Sequence, residues 1–314
     1  MGLLVDGKWR DQHPDRPKTG GRFIRPETQF RDRIEAGGRF GPEPGRYHLY
    51  ISLACPWAHR TQIFRALKGL TPVIGLSVVD PITSDQGWAF SDGPDCIPDN
   101  VGGAAYLHEI YTRGALACSG RVTVPVLWDK AENTIVNNEP AEIIRLFNSA
   151  FDALTGNNFD FYPPALRADI DEEIYTAVNN GVYRCGFATA QEAYEEAFTA
   201  LFSCLDRMEK RVSGQRYLCG ARQTEADWRL FTTLLRFDPV YVGHFKCNLK
   251  RLADYPNLSN YLRDLYQPPG IAETCNMAHI KSHYYRSHTS INPNQIVPKG
   301  PTIDNAAPHD RARF

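Results

Sequence analysis

The sequence lacks the features that mark membrane, secreted and nucleic-acid-binding proteins. No apolar run approaches the roughly 18 residues of a membrane-spanning helix, and residues 1–10 carry charges where a signal peptide needs an apolar stretch. The net charge is only −1, from 35 Lys and Arg against 36 Asp and Glu, so the chain offers no basic field for a phosphate backbone. We therefore expect a cytoplasmic protein with no membrane and no nucleic-acid partner.

The eight cysteines lack the spacing of a metal or dithiol centre. None of them pairs with another as C-x-x-C, so the sequence predicts no metal site. A chain of 314 residues needs no disulfide staples, and we interpret most of these thiols as reduced. The composition, 42% apolar and 23% charged, excludes disorder and fibrous repeats. The length indicates about two domains.

The first half of the chain mixes strand and helix patterns. Residues 47–53 and 71–80 are β-favouring runs on either side of a helical pattern that begins after Cys55-Pro56. A helix between two strands predicts that they run parallel. The next predicted elements are a short helix, a strand, a return strand and a helix that begins with proline, over residues 106–113, 122–128, 134–136 and 140–147. The order is therefore βαβ followed by ββα.

Helical periodicity replaces the strand pattern in the second half. The predicted helices cover residues 165–183, 190–212, 224–237 and 257–266. Thr224-x-x-Asp227 before an apolar run predicts a capping-box helix start. The proline-rich residues beyond 268 predict an extended tail over the body of the protein. The predicted organisation is an arm, an α/β domain, an all-helical domain and a tail, over residues 1–45, 46–150, 160–268 and 269–314.

Cys55 is the sharpest chemical feature of the sequence. It lies at a predicted strand-to-helix turn, where unpaired backbone N–H groups and the helix dipole stabilise a thiolate. The alternative is a buried, inert cysteine. Position 58 is Ala, so no resolving thiol lies at C-x-x-C spacing, and an external thiol must complete any redox cycle. We interpret His59 and Arg60 as surface or helix-packing residues rather than as a base and an anion clamp.

These features together resemble a known family. The βαβ-ββα order with a Cys-Pro turn and a Val124-Pro125 strand resembles the thioredoxin fold of a glutathione transferase followed by its helical domain. More specifically, the chain resembles the glutathionyl-hydroquinone reductases, the xi class of glutathione transferases, over nearly its whole length. The blocks that carry this resemblance are C-P-W-A-H-R at 55–60, G-W-A-F at 87–90, R-V-T-V-P-V-L-W-D at 121–129, I-V-N-N-E at 135–139, N-N-G-V-Y-R-C-G-F-A at 179–188 and H-I-K-S-H-Y-Y at 279–285.

The resemblance implies glutathione as co-substrate and a homodimer. It implies that the Val124–Pro125 peptide bond is cis and that Val124 pairs with the cysteinyl backbone of glutathione; a plain edge-strand proline is the alternative. It also implies that Glu139 holds the glutathione ammonium and that Trp88 and Arg121 contact the tripeptide. Taken alone, Trp88 would indicate core packing and Arg121 a solvated charge.

Pro140 is the main departure from the family pattern. The family usually has Ser here, and its hydroxyl and N–H hold the γ-glutamyl carboxylate at the start of a helix. Proline supplies neither group. The loss costs about 1.5 to 3 kcal/mol per hydrogen bond unless the Ala141 N–H or water substitutes. We therefore expect weaker glutathione binding. A smaller departure is Gln295, where the family commonly has Gly.

Tyrosines are the candidate residues for binding the hydroquinone. The resemblance implies that Tyr183 and either Tyr284 or Tyr285 hydrogen-bond the quinol oxygen. The expected reaction is attack of the Cys55 thiolate on the sulfur of a glutathionyl-hydroquinone, followed by release with a second glutathione. Two alternatives stay open: an omega-like thiol transferase or dehydroascorbate reductase, and a non-catalytic glutathione-binding module. The tail tyrosines and the long arm argue against the first, and Cys55 argues against the second.

Overall fold

The chain folds into two compact units, each assembled from segments that are distant in sequence. The structure is a computed structural model that describes residues 2–11, 19–25, 27–171 and 175–314. The first unit contains Glu27–Phe159, Thr274–Ser287 and residues 2–11. The second contains Asp160–Glu273, His288–Phe314 and residues 19–25. Parts of both the arm and the tail therefore belong to each unit.

A two-stranded hairpin opens the first unit. Its strands are β1, Leu3–Val5, and β2, Lys8–Arg10, and they pair antiparallel. Asp6 and Gly7 between them both have positive φ, 48° and 74°, as a tight hairpin turn requires. Strands of three residues carry too little alternation to be recognised, so the sequence analysis missed this hairpin.

A four-stranded mixed sheet forms the core of the first unit. In spatial order its strands are β4, β3, β5 and β6, which are Gly75–Val78, Tyr47–Ile51, Val126–Asp129 and Thr134–Asn137. β3 pairs parallel with β4 and antiparallel with β5, which pairs antiparallel with β6. All of β3 is buried, as a central strand covered on both faces should be. This topology confirms the predicted βαβ-ββα order.

The α-helices of the described residues are numbered α1 to α10 along the chain. They are Pro56–Leu67, Leu107–Gly114, Pro140–Ser149, Asp152–Thr155, Arg167–Ile170, Gly181–Gly186, Gln191–Gly214, Glu225–Arg236, Pro256–Tyr266 and Met277–Ser287. The first four and α10 belong to the first unit, and α5 to α9 belong to the second. α1 and α3 pack against each other, and both begin with the predicted proline in the first turn.

The helices of the second unit confirm most of the predicted all-helical region. α7, α8 and α9 match the predicted segments to within two residues at each end. The capping box of α8 is also confirmed, because the Asp227 carboxylate accepts from the Thr224 N–H at 2.7 Å. Asp227 is fully buried, and desolvation raises the pKa of its carboxyl. No helix among the described residues has both the length and the apolar character needed to cross a bilayer.

Two predictions of secondary structure are wrong. The single helix over residues 165–183 is instead a series of short pieces, with a π-helical turn at Tyr175–Asn179 before α6, while residues 172–174 lie outside the described part. Asn179, Asn180 and Gly181 are weak helix formers, which explains the break. The tail is not extended throughout, because it contains α10. Asn276 caps α10 by accepting the His279 N–H at 2.8 Å.

Candidate active site

Cys55 occupies the position from which helix α1 begins. It is the N-cap residue, with extended backbone angles, and Pro56 is the first helical residue. The Cys55 side chain is half-buried, so a small molecule can reach the sulfur. The N-terminal end of a helix carries partial positive charge, and the Cys55 sulfur lies at this end of α1.

The Val124–Pro125 peptide bond lies beside the Cys55 thiol and is cis, as predicted. The Cys55 Sγ lies 3.8 Å from the Val124 carbonyl oxygen, to which the thiol donates. The ladder between β5 and β3 begins only at Val126, so the main-chain groups of Val124 lie outside it. The predicted strand therefore starts four residues late, because Pro125 cannot donate to a ladder. A main-chain edge next to a thiol suits an extended peptide ligand.

Glu139 forms the start of helix α3. Its Oε1 accepts the Ala141 N–H at 3.2 Å, and its Oε2 accepts the Thr28 hydroxyl at 3.1 Å. The carboxylate is half-buried, so it keeps surface for a cation. The Ala141 N–H, the main-chain donor next to the one missing at Pro140, is thus already used by Glu139. This contact strengthens the expectation that Pro140 weakens binding of a carboxylate here.

Trp88 and Arg121 differ in their environments. Trp88 is 6% exposed, and its carbonyl oxygen accepts the Leu107 N–H at 2.9 Å at the start of α2. Its indole stacks on the His283 ring, with centroids 4.8 Å apart. Arg121 is exposed. Cys55, Val124, Glu139, Trp88 and Arg121 thus all belong to the first unit, where the Cys55 thiol contacts the Val124 carbonyl.

His59 and Arg60 are buried parts of α1 rather than surface residues. They are 0% and 1% exposed, which corrects the surface half of the sequence interpretation and supports the packing half. The His59 Nε2 lies 2.8 Å from the Thr274 hydroxyl and 3.9 Å from the Cys275 Sγ. Arg60 lies 6.0 Å from the centre of the Trp57 ring. His59 therefore joins α1 to the segment before α10.

Tyr183 belongs to an aromatic cluster in the second unit. Its ring contacts Phe23, Phe187, Tyr241 and Phe245, with centroid distances between 5.2 and 6.4 Å. Gly186 lets α6 approach this cluster, since a Cβ there would lie 2.1 Å from the Phe245 ring. The sequence block around Tyr183 pointed to this tyrosine, but nothing in the sequence predicted its partners.

Tyr284 and Tyr285 lie next to each other on α10, in the first unit, and so in a different unit from Tyr183. Tyr284 is 1% exposed and shares the buried face of α10 with His283. Tyr285 is half-buried, and desolvation raises the pKa of its hydroxyl. A phenol with a raised pKa stays protonated at neutral pH and can donate a hydrogen bond.

The other cysteines are thiols without a metal-like arrangement. No cluster of three or more His, Cys, Asp or Glu that could hold a metal occurs in the part of the chain that the structure describes. Burial raises the pKa of the Cys96, Cys118 and Cys219 thiols. Such thiols are mostly protonated at neutral pH and are poor nucleophiles.

Comparison with known proteins identifies both units. Residues 54–150 match the family model of the glutathione S-transferase N-terminal domain, and residues 191–264 match that of its C-terminal domain. The chain is 54% identical to glutathionyl-hydroquinone reductase PcpF of Sphingobium chlorophenolicum, over 96% of each chain. It is also similar to the glutathione-bound structure of YqjG, a glutathione transferase homologue from Escherichia coli K-12. The TM-score is 0.91 at 51% identity, over the full length of both chains. The xi-class structure from Natrialba magadii gives a TM-score of 0.94 at 48% identity and covers 100% of this chain and 97% of that one.

Proposed function

Because this chain belongs to the xi class of the glutathione S-transferase family, the glutathionyl-hydroquinone reductases, we propose that it reduces glutathionyl-hydroquinones to hydroquinones with glutathione. The observation that carries the proposal is Cys55, a half-buried thiol at the start of α1 and 3.8 Å from the Val124 carbonyl. A thiol in this position is suited to attack the sulfur of a bound tripeptide.

The first half of the reaction breaks a carbon–sulfur bond. The Cys55 thiolate attacks the glutathione sulfur of the substrate and forms a mixed disulfide. The electron pair of the broken bond stays on the aromatic carbon, which takes a proton, and the hydroquinone leaves. Two electrons thus pass to the ring, one from the Cys55 thiolate sulfur and one from the thioether sulfur of the substrate.

The second half is thiol–disulfide exchange. The thiolate of a second glutathione attacks the glutathione sulfur of the mixed disulfide and displaces the Cys55 thiolate. Oxidised glutathione leaves, and its formation balances the two electrons taken up by the ring. Ala58 leaves no second cysteine at C-x-x-C spacing, which favours this external thiol over an internal one.

The glutathione-binding roles are assigned in the same proposal. Val124 pairs with the cysteinyl backbone through its main chain, beside cis-Pro125. Glu139 holds the ammonium, supported by the half-buried carboxylate at the start of α3. Trp88 contributes an apolar surface and Arg121 a charge. Pro140 supplies no hydrogen-bond donor to the γ-glutamyl carboxylate.

The hydroquinone-binding roles go to tyrosines. Tyr183 offers a phenol in a ring of aromatic side chains, and Tyr284 or Tyr285 offers a second phenol on α10. A phenol hydroxyl can donate to the quinol oxygen and stabilise the charge that develops as the ring leaves. We also propose that the protein is a cytoplasmic homodimer, on the basis of the family resemblance alone.

The test is turnover of a glutathionyl-hydroquinone with excess glutathione, with oxidised glutathione as the measured product. The wild type should turn over, and Cys55→Ser should not. Dehydroascorbate is assayed in parallel: a preference for it would favour the omega-like thiol transferase. Absence of any turnover, together with retained glutathione binding, would overturn the enzymatic proposal and favour a binding module.

A further inference from the structure

Helix α10 is tied to the loop between β4 and α2 by two histidines one helical turn apart. The His279 Nε2 lies 2.7 Å from the Pro94 carbonyl oxygen, and the His283 Nδ1 lies 2.8 Å from that of Pro81. A carbonyl oxygen only accepts, so each of these ring nitrogens carries the proton and donates. The two histidines therefore make the same kind of anchor at two points of one loop.

Only one of the two histidines has a second contact that bears on the site. The His283 ring stacks on the Trp88 indole, with centroids 4.8 Å apart and planes inclined by 22°. Both rings are buried, with 7% and 6% exposure. His279 makes no such ring contact among the described residues. The two histidines thus share the anchor on the loop and differ in their ring contacts, which makes His279 a control for His283.

The plane of the Trp88 ring depends on this stack. The Trp88 carbonyl accepts the Leu107 N–H, which fixes the main chain and leaves rotation about the side-chain bonds. Within the described residues the indole N–H makes no hydrogen bond, and the stacked face of His283 limits the rotation of the ring.

We propose that His283 is a positioning residue for glutathione: the face of its ring holds the Trp88 indole at the angle that the tripeptide requires. The proposal rests on the proposed function, which assigns Trp88 to the tripeptide. His283 also meets the next ring, Tyr284, edge to face at 5.5 Å. One imidazole therefore contacts a residue assigned to glutathione and a residue assigned to the hydroquinone.

The experiment measures binding of S-methylglutathione, which cannot undergo disulfide exchange, by titration calorimetry. His283→Gln removes the ring but keeps an N–H donor for Pro81, and we expect it to raise Kd about three- to tenfold, in line with the loss of one aromatic pair. His283→Phe keeps the ring and should stay within about twofold of wild type. His279→Gln, the matched control, should leave Kd unchanged.

Any of three results with these variants would overturn the proposal. Equal weakening in His279→Gln and His283→Gln would mean that both histidines only anchor α10. An unchanged Kd in His283→Gln would mean that the stack on Trp88 does not contribute to binding. If His283→Gln does not fold, the test is His283→Phe: a raised Kd in this folded variant would show that an aromatic ring at position 283 is not what supports glutathione binding.

The binding assay separates this proposal from the proposed function. A wild type that binds S-methylglutathione but does not turn over glutathionyl-hydroquinone disproves the reductase activity, while the His283 comparison still decides the present proposal. A wild type that does not bind the analogue overturns the positioning role. Where turnover occurs, His283→Gln should raise KM for glutathione with kcat changed less than about twofold.

Discussion

The glutathione side of the first unit and the aromatic cluster of the second are built in different ways. Around Cys55 the structure uses main-chain features: a helix start, a cis peptide bond and the carbonyl of Val124. Around Tyr183 it uses only side-chain rings brought together from distant parts of the chain. Main-chain features of this kind depend on residues that are close together in the sequence, whereas side-chain clusters depend on how distant segments pack. The two regions should therefore respond differently to substitution.

The largest effect should come from the thiol itself. Cys55→Ser removes the thiolate, and we expect turnover to fall by a factor on the order of a thousand or more, because a serine hydroxyl is not ionised at neutral pH. Cys118→Ser, at a buried thiol of the same unit, is the control and should keep most of the activity. Production of oxidised glutathione measures both.

Alkylation with iodoacetamide adds a pH test of the same contrast. Burial raises the pKa of the Cys96, Cys118 and Cys219 thiols, so below pH 7 they are almost wholly protonated and react slowly. Modification below pH 7 should therefore spare these three thiols, and the part of it that disappears in Cys55→Ser maps to Cys55. Labelling of Cys96, Cys118 or Cys219 below pH 7 would contradict this expectation.

Packing in the second unit is tested by Gly186→Ala. The new Cβ would lie 2.1 Å from the Phe245 ring, and overpacking of this kind costs about 1 to 3 kcal/mol. We expect a lower urea midpoint and a higher KM for the glutathionyl-hydroquinone. Binding of S-methylglutathione should stay unchanged, because Gly186 is in the second unit.

Gly214→Ala provides the control for that substitution. Gly214 ends α7, and a Cβ there meets nothing within 4 Å. Alanine in a helix without a clash should be neutral or stabilise by up to about 1 kcal/mol. Equal destabilisation by both substitutions would show that the cluster around Tyr183 is no more tightly packed than the end of α7.

The same contrast explains what the sequence could predict. The start of α1 at Pro56 and the capping box of Thr224 follow from local residue chemistry, whereas the cis bond before Pro125 was implied by the family resemblance, and the structure confirms each. The partners of Tyr183 and the stack of His283 on Trp88 join residues far apart in the chain, and no local pattern encodes them. Helix α10 was missed because the prolines and glycines around it masked a short periodic stretch.

A smaller effect should come from Pro140→Ser, which restores both missing donors. We expect S-methylglutathione to bind at least about tenfold more tightly, the gain for a single bond of about 1.5 kcal/mol to a charged carboxylate. The Ala141 N–H cannot already supply this bond, because the Glu139 carboxylate takes it. Pro256→Ser, at the first residue of α9, is the matched control: it loses the same proline at a helix start and should leave the affinity unchanged. Unaltered affinity in Pro140→Ser would mean that Pro140 does not limit how tightly glutathione binds.

The smallest effect should distinguish the two neighbouring tyrosines of α10. Tyr284 shares its buried helix face with His283, which stacks on Trp88, whereas Tyr285 lies off that face. Loss of one hydroxyl removes a hydrogen bond worth about 1 kcal/mol. Tyr284→Phe should therefore lower kcat/KM for the glutathionyl-hydroquinone about fivefold, and Tyr285→Phe less than about twofold. The reverse order would assign the substrate to Tyr285, and equal small effects would leave Tyr183 as the phenol that acts on the hydroquinone. Because both variants keep the aromatic ring, a change here would reflect the hydroxyl and not the packing that Gly186→Ala disturbs.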